Sequence, residues 1–327
     1  MVPAPANGKG STTPGPAVHG NAADARTERY RHAEAALWNH YGLEPTEQFL
    51  DLQSPRARVR VQIIGTGTPI LFIHGGVWPG AAFVSLIGEL SGFRCVILDR
   101  PGCGLSSPLD YSKHAYASVI AQLLTGVLDA VGIDRTHVVG QEVGAAWALT
   151  LAAMHPTRVD RLVLTGAAPL LHEQPVPTFL KVLASPIGAL IVRLPQSRGQ
   201  ARSILRQDGH GASLESGRIP DAYLDWHVAL MRETPTMRNE RALIRATVGR
   251  GGWRPEVTFE ADMLAQLQHP ILYIYGTNDP ESTVDRIRHL VSLLPGAELH
   301  LLQGGGHLPW LDDPSQIGAR ISGFLAA

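Results

Sequence analysis

The chain repeats one local pattern, in which a short apolar run ends at small or polar residues and a helical stretch follows. A continuous apolar run of this kind is typical of a strand that is buried on both faces. Helical stretches at 84–90, 115–131 and 145–154 separate successive runs, so the alternation predicts an α/β chain with a mostly parallel sheet and helices on both faces. The runs occupy residues 69–73, 93–98, 136–139, 161–164, 270–275 and 298–302.

The first and middle parts of the chain depart from this rhythm. After a predicted helix at 25–41, residues 49–52 and 58–64 alternate apolar and polar side chains, which predicts an antiparallel hairpin. Between 168 and 255 the sequence shows only helical pieces broken by prolines, before the strand rhythm resumes and a helix at 314–325 closes the chain. We therefore expect a disordered tail at 1–24, a core at 25–167 and 256–327, and an inserted helical cap at 168–255.

Composition and charge exclude several classes of function. The 28 lysines and arginines balance 29 aspartates and glutamates, and the net charge of −1 provides no overall field to gather nucleic acid or an anionic bilayer. The longest apolar stretch, at 182–192, contains Pro186 and is much shorter than the about 20 residues of a membrane span. The two cysteines, Cys95 and Cys103, indicate either a reducing compartment or residues that only fill space. We expect a cytoplasmic protein that binds a small molecule, and the sequence leaves its oligomeric state open.

Several polar or glycine-rich segments follow the predicted strands, where open parallel sheets place their sites. The loop at 74–77, His-Gly-Gly-Val, offers backbone N–H groups suited to a developing oxyanion. Residues 140–144, Gly-Gln-Glu-Val-Gly, have the strand-to-helix pattern of a nucleophile elbow with Glu142 at its centre. Asp279 and His307 follow later strands, so the chain order is elbow, acid, histidine.

Together these segments resemble the α/β-hydrolase superfamily from about residue 49 to 325, and the superfamily's D-R-x-G-x-G-x-S loop matches residues 99–106. The resemblance implies the α/β-hydrolase fold, with a cap over the site, and Asp279 and His307 as the acid and base of a triad. Capped esterases, carbon–carbon bond hydrolases and epoxide hydrolases look nearest. The resemblance also implies an oxyanion hole at Gly75, Gly76, Val77 and Val143, and candidate substrate contacts at Trp78, Gln141 and Leu308.

Glu142 stands where this superfamily usually has serine, or aspartate in dehalogenases and epoxide hydrolases. In a first hypothesis, Glu142 is a carboxylate nucleophile and His307, oriented by Asp279, activates the water that cleaves the resulting ester. In a second, Glu142 and His307 act as general acid and base without a covalent intermediate. In a third, the protein is a catalytically silent binder of a small ligand, and Glu142 pairs with His307.

The cap indicates what kind of substrate to expect. Apolar side chains between 179 and 194 favour a small, uncharged, largely hydrophobic molecule with an ester, epoxide, or C–C or C–O bond to break. Epoxide hydrolases carry proline where Val77 stands and hold the epoxide oxygen with cap tyrosines, whereas this cap contains only Tyr223. Polar cap residues lack metal-ligand spacing, so we expect neither a metal nor another cofactor. These residues are His172, Glu173, His210, Asp225 and His227.

Overall fold

The computed structural model describes residues 22–167, 171, 174–249 and 251–327. Eight strands form one sheet in the order β1-β2-β4-β3-β5-β6-β7-β8. Strands β3 to β8 pair in parallel, which confirms the predicted α/β fold with a mostly parallel sheet. The strands are β1 (Thr46–Gln53), β2 (Arg56–Ile64), β3 (Thr68–Ile73), β4 (Phe93–Leu98), β5 (Thr136–Gln141), β6 (Val159–Thr165), β7 (Ile271–Gly276) and β8 (Glu298–Leu302).

The N-terminal part adds a helix and a hairpin to this sheet. Strands β1 and β2 pair antiparallel with Leu50 opposite Val59, and β2 pairs antiparallel with β4. Helix α1 (Ala22–His40) begins earlier than predicted, with Asp24 in its first turn, where a negative charge favours the helix dipole. Residues 22–24 are therefore helical, which corrects the predicted tail, and residues 1–21 lie outside the described residues.

Helices cover both faces of the sheet, because successive residues of its central strands are apolar and their side chains point to opposite faces. The helices after α1 are α2 (Val84–Ile87), α3 (Tyr116–Ala130), α4 (Val143–Met154), α5 (Thr178–Ala184), α6 (Gly188–Ile191), α7 (Arg198–Gln207), α8 (Gly211–Glu215), α9 (Asp221–Glu233), α10 (Thr236–Thr247), α11 (Ala261–Leu264), α12 (Val284–Ser292) and α13 (Pro314–Ala326). Ile70 and Phe72 of β3 lie in the core that contains α1, α2 and α13, whereas Leu71 and Ile73 lie in the core that contains α3, α4 and α12.

The segment between β6 and β7 carries α5 to α11, and its described residues contribute no strand to the sheet. Helix α9 joins this segment to the core, because Tyr223 and Trp226 are buried in the same cluster as Leu37 of α1. Residues 168–170, 172–173 and 250 of the predicted cap lie outside the described part of the chain. No helix among the described residues is long and apolar enough to cross a membrane.

Candidate active site

Glu142 occupies a sharp turn between β5 and α4. It is the one non-glycine residue of the described chain with a positive φ, at 51°, a conformation that costs of order 1–3 kcal/mol and clusters at functional sites. A Cβ at Gly144 would lie 2.1 Å from the carbonyl oxygen of Ile73, and one at Gly140 would lie 2.6 Å from that of Gly144. The small flanking residues therefore let strand, turn and helix approach closely.

The carboxylate of Glu142 is bound at the predicted oxyanion loop. The backbone N–H of Gly76 donates to Glu142 Oε2 over 2.6 Å, and Glu142 Oε1 accepts no hydrogen bond from the described residues. Helix α4 begins at Val143, so the Val143 N–H is one of the first-turn donors that a helix leaves without an internal partner. One carboxylate oxygen is thus held and the other is left available.

Gln141 has a bridging position that the sequence did not reveal. Its Oε1 accepts from the N–H of Gly75 over 2.6 Å, and its Nε2 lies 2.8 Å from His307 Nε2. Because the amide oxygen faces Gly75, the amide N–H faces His307, whose Nε2 must accept. The N–H of Gly75 therefore already has a hydrogen-bond acceptor, Gln141 Oε1. The Gln141 side chain is buried and does not line the cavity, contrary to its expected role as a substrate contact.

His307 is surrounded by carboxylates other than Glu142. Its Nδ1 lies 3.0 Å from Asp279 Oδ2 and 3.9 Å from Glu281 Oε2. Burial alone would lower the pKa of His307, but Glu281 and Asp279 raise it well above its usual value. The ion pair between Glu142 and His307 expected in the silent-binder hypothesis is not formed. Glu142 is bound to Gly76, and Gln141 lies against His307 instead.

Glu281 is a functional candidate that the sequence analysis missed. It lines the cavity together with Glu142 and His307, and its backbone N–H donates to Asp279 Oδ1 over 2.9 Å. Burial raises its pKa to about 8, despite the opposing effect of His307. A proton on His307 Nε2 would point its N–H at the amide N–H of Gln141. The Gln141 contact therefore favours the state in which His307 is neutral and Glu281 holds the proton. The one feature of the sequence that could have pointed to Glu281 is its position two residues after Asp279.

The oxyanion loop is held from behind by Arg100. Its Nη2 donates to the carbonyl oxygens of Gly75 and Gly76 and to Glu240 Oε1 of α10, the last over 2.8 Å. Its backbone N–H donates to His74 Nε2, and burial and Arg100 together hold the pKa of His74 well below its usual value. The loop at 99–106 thus contributes the side chain that orients the Gly75 and Gly76 peptides.

A cavity of about 760 Å³ lies between the core and the cap. Of the predicted site residues, Gly76, Val77, Trp78, Glu142, Val143 and His307 line it. Leu308 does not, because its side chain is fully buried in the core and its N–H donates to His210 Nε2 over 3.1 Å. The lining is mostly apolar, with carboxyl groups of Asp208, Glu240 and Glu281 that were not predicted. Burial raises the pKa of Asp208 as well.

The cap histidines His210 and His227 are buried and contact other side chains of the protein. His210 Nδ1 lies 2.8 Å from Asp312 Oδ2. His227 stacks on Trp78 with ring centroids 4.4 Å apart, and burial lowers its pKa to about 3. Within the described residues, no group of three or more histidine, cysteine, aspartate or glutamate side chains is placed to hold a metal ion. His172 and Glu173 lie outside the described residues.

The order and geometry of these segments agree with a known family. The family model of the alpha/beta hydrolase fold matches residues 68–314. The chain belongs to the α/β-hydrolase family. This confirms the family and the fold that the motifs predicted.

Several relatives of this α/β-hydrolase carry hydrolase names. It is 26% identical over 282 residues to a 2-hydroxy-6-oxononadienedioate/2-hydroxy-6-oxononatrienedioate hydrolase of Pseudomonas sp., covering 82% of this chain and 92% of that protein. It is 27% identical over 306 residues to a proline iminopeptidase of Lactobacillus delbrueckii subsp. bulgaricus, covering 86% and 98%. The crystal structure of naproxen esterase from Bacillus subtilis has the same fold, with a TM-score of 0.70 and 18% identity, over 93% of this chain and 99% of that one.

Proposed function

We propose that this α/β-hydrolase hydrolyses a small, uncharged, largely apolar substrate through a covalent ester on Glu142, with an epoxide as the favoured substrate class. The hydrogen bond from the Gly76 N–H to Glu142 Oε2, 2.6 Å long, carries this proposal. It holds Oε2 beside a backbone N–H that can stabilise a negative charge on that oxygen, and it leaves Oε1 to attack carbon.

In the first step, Glu142 Oε1 attacks a ring carbon of the epoxide and the C–O bond breaks. The alkoxide that leaves takes a proton, and Glu281 is the donor in this proposal because it lines the same cavity and its pKa is about 8. Tyr223, the one tyrosine of the cap, is fully buried and does not line the cavity. A carboxyl group would thus perform the task that cap tyrosines perform in epoxide hydrolases.

In the second step, water attacks the carbonyl carbon of the Glu142 ester and gives its proton to His307 Nε2. The negative charge develops on Oε2, which the Gly76 N–H already binds. Collapse returns the His307 proton to the departing alcohol and leaves Glu142 as an acid, which reprotonates Glu281. Asp279, 3.0 Å from His307 Nδ1, orients the ring for this exchange. The incoming water must displace the Gln141 amide from Nε2.

A second candidate is hydrolysis of an ester or a carbon–carbon bond without a covalent intermediate, with Glu142 and His307 as base and acid. The names of the relatives favour it, since they include a hydrolase of a 2-hydroxy-6-oxo dienedioate and an esterase. Against it, the Gly76 N–H already binds Glu142 Oε2, one of the two oxygens that could accept the substrate's proton.

Steady-state assays on one panel of small epoxides and activated esters, such as styrene oxide and 4-nitrophenyl butyrate, test the proposal. We expect epoxide turnover by the wild-type protein and its loss in Glu142→Gln, whereas Glu215→Gln, at an exposed position of α8, keeps full activity. Turnover of esters alone, abolished by Glu142→Gln, would favour the second candidate. Esterase activity only in Glu142→Ser would show that glutamate silences the site.

A further inference from the structure

The exposed large apolar side chains of the described residues are concentrated in one stretch of the cap. Of the eight large hydrophobic residues that are exposed within the described chain, six lie between 179 and 194, and Met154 and Met263 are the others. The three most exposed are Ile187 at 63%, Leu190 at 65% and Leu194 at 65%. A contiguous set of this kind on a folded protein marks an interaction surface. We name it the cap patch, and its members are Phe179, Val182, Ile187, Leu190, Ile191 and Leu194.

The helices that carry and support the cap patch are rich in unpaired positive charge. Helix α10 packs against both α5 and α6. The basic residues on and between these helices have no carboxylate within 4 Å among the described residues. Their one acidic residue, Glu240, is buried and bound to Arg100. The basic residues are Lys181, Arg193, Arg238, Arg241 and Arg245.

The charge asymmetry extends along the chain beyond the patch. From residue 174 to 207 the sequence contains five basic residues and no acidic one. Two of the five, Arg198 and Arg202, are paired with Asp221 of α9, and Arg198 also with Asp225. Lys181 and Arg193, which lie among the residues of the cap patch in the sequence, have no such partner within the described residues, and neither does Arg206 of α7. Two of the three unpaired basic residues of this segment are therefore sequence neighbours of the patch's apolar residues.

The cap patch is continuous with the wall of the cavity. Phe179 is 51% exposed and also lines the cavity, as do its neighbours Leu180 and Leu183 on α5. Helix α5 thus presents apolar side chains both outward and toward the site. Helix α5 therefore connects the cap patch with the cavity that Glu142 lines.

We propose that the cap patch docks on the surface of an anionic lipid bilayer, from which apolar substrate enters the cavity. Apolar side chains surrounded by lysine and arginine are what such a surface binds, since burial of apolar area and attraction to anionic lipid add. A second copy of this chain fits less well. In a two-fold contact the patch meets itself, and the unpaired Lys181 and Arg193 would face like charges. Docking does not depend on the chemistry at Glu142, because it is measured without substrate.

Vesicle flotation tests the proposal with two vesicle types, phosphatidylcholine alone and phosphatidylcholine with about a third phosphatidylglycerol. We expect the wild-type protein to float with the anionic vesicles, at least about tenfold more than with the neutral ones at low salt. In about 1 M salt, where the screening length falls to about 3 Å, this preference should disappear.

Two matched pairs of variants locate the contact. Ile187→Ser, Leu190→Ser and Leu194→Ser together should lower binding about tenfold or more, whereas Met154→Ser with Met263→Ser removes exposed apolar side chains elsewhere and should leave it unchanged. Lys181→Gln with Arg193→Gln should also lower it about tenfold or more, and Arg56→Gln with Arg288→Gln should not. All these positions are exposed, so unchanged melting temperatures will show that each variant is folded.

Three results would overturn the proposal. The first is that the wild-type protein fails to float with anionic vesicles. The second is that it floats equally with neutral ones, and the third is that the cap-patch variants bind as the matched controls do. Sedimentation equilibrium of the same samples adds a fourth. If the wild-type protein is a dimer that the triple serine variant dissociates, and no vesicle binding is seen, then the cap patch is an interface between copies of this chain.

Discussion

Glu142 combines a strained backbone with a carboxylate that has one bound oxygen and one available oxygen. The positive φ of 51° turns the side chain toward the cavity edge, and the Gly76 N–H holds Oε2. Glutamate is one methylene longer than aspartate, and this extra length brings Oε2 to the loop at 74–77. At the scale of the residue, the positions of these two oxygen atoms are what support the covalent hypothesis that we propose.

Shortening this side chain should be nearly as harmful as neutralising it. Glu142→Asp withdraws the attacking oxygen by about 1 Å, and a misplacement of that size costs about 100-fold in kcat. Glu142→Gln removes the nucleophile, and we expect a loss of at least about 1000-fold. Steady-state kinetics on the epoxide measure both losses. An aspartate variant with wild-type kcat would contradict the assigned role of the carboxylate.

Glu281 should give the reaction a limb at alkaline pH. Burial raises its pKa to about 8, so the carboxyl group is protonated below that pH and able to donate, and activity should fall as the pH rises through about 8. Glu281→Gln cannot transfer a proton, so we expect kcat about 100-fold lower and this limb absent. The pH profile of kcat for both proteins measures it. An unchanged alkaline limb in the variant would exclude Glu281 as the acid.

At the scale of the element, the turn into α4 depends on the absence of side chains beside Glu142. In Gly144→Ala, the new Cβ would lie 2.1 Å from the Ile73 carbonyl oxygen, and backbone on both sides must move. We expect the free energy of unfolding to drop by about 2 kcal/mol or more and activity to be lost.

Gly323→Ala is the matched control for this substitution. Gly323 lies in α13 and a Cβ there meets nothing within 4 Å. An alanine should therefore stabilise the protein by up to about 1 kcal/mol through its helix propensity. Denaturant unfolding measures both variants. Equal, small effects at the two positions would show that the close approach at Gly144 is not required.

The buried pair of Arg100 and Glu240 joins the cap helix α10 to the oxyanion loop. Arg100→Met would leave Glu240 buried without its ion-pair partner and free the Gly75 and Gly76 carbonyl groups, and we expect a cost of about 3–5 kcal/mol in unfolding free energy. The exposed pair of Arg288 and Asp285 is the control, and Arg288→Met should cost less than about 1 kcal/mol. Thermal unfolding compares them. A similar cost for both would contradict the role of Arg100.

At the scale of the whole molecule, local sequence patterns were sufficient to predict the layers of the fold. Continuous apolar runs such as 69–73 mark buried parallel strands, because both faces of β3 are covered by helices. The start of α1 was placed late, since the pattern of apolar side chains weakens at its N-terminus while the helix continues.

The site was predictable only where a motif fixes a backbone. Glu142 and His307 follow strand ends, so their positions could be read from the chain, and both line the cavity. Gln141, Leu308 and Glu281 could not be assigned in this way, because side-chain direction depends on packing across elements distant in sequence. Net charge does not report local charge either, since a total of −1 gives no sign that residues 174–207 contain five basic residues and no acidic one.

Transfer of oxygen from solvent to Glu142 tests the proposed chemistry most directly. With enzyme in excess over an epoxide that it turns over, one turnover in H₂¹⁸O should place the label in the peptide that contains Glu142, as seen by mass spectrometry after digestion. The diol from that turnover should be unlabelled, because its new oxygen comes from the carboxylate. Glu142→Gln and wild-type protein without substrate are the controls. Label in the diol with none in the Glu142 peptide would contradict a covalent ester.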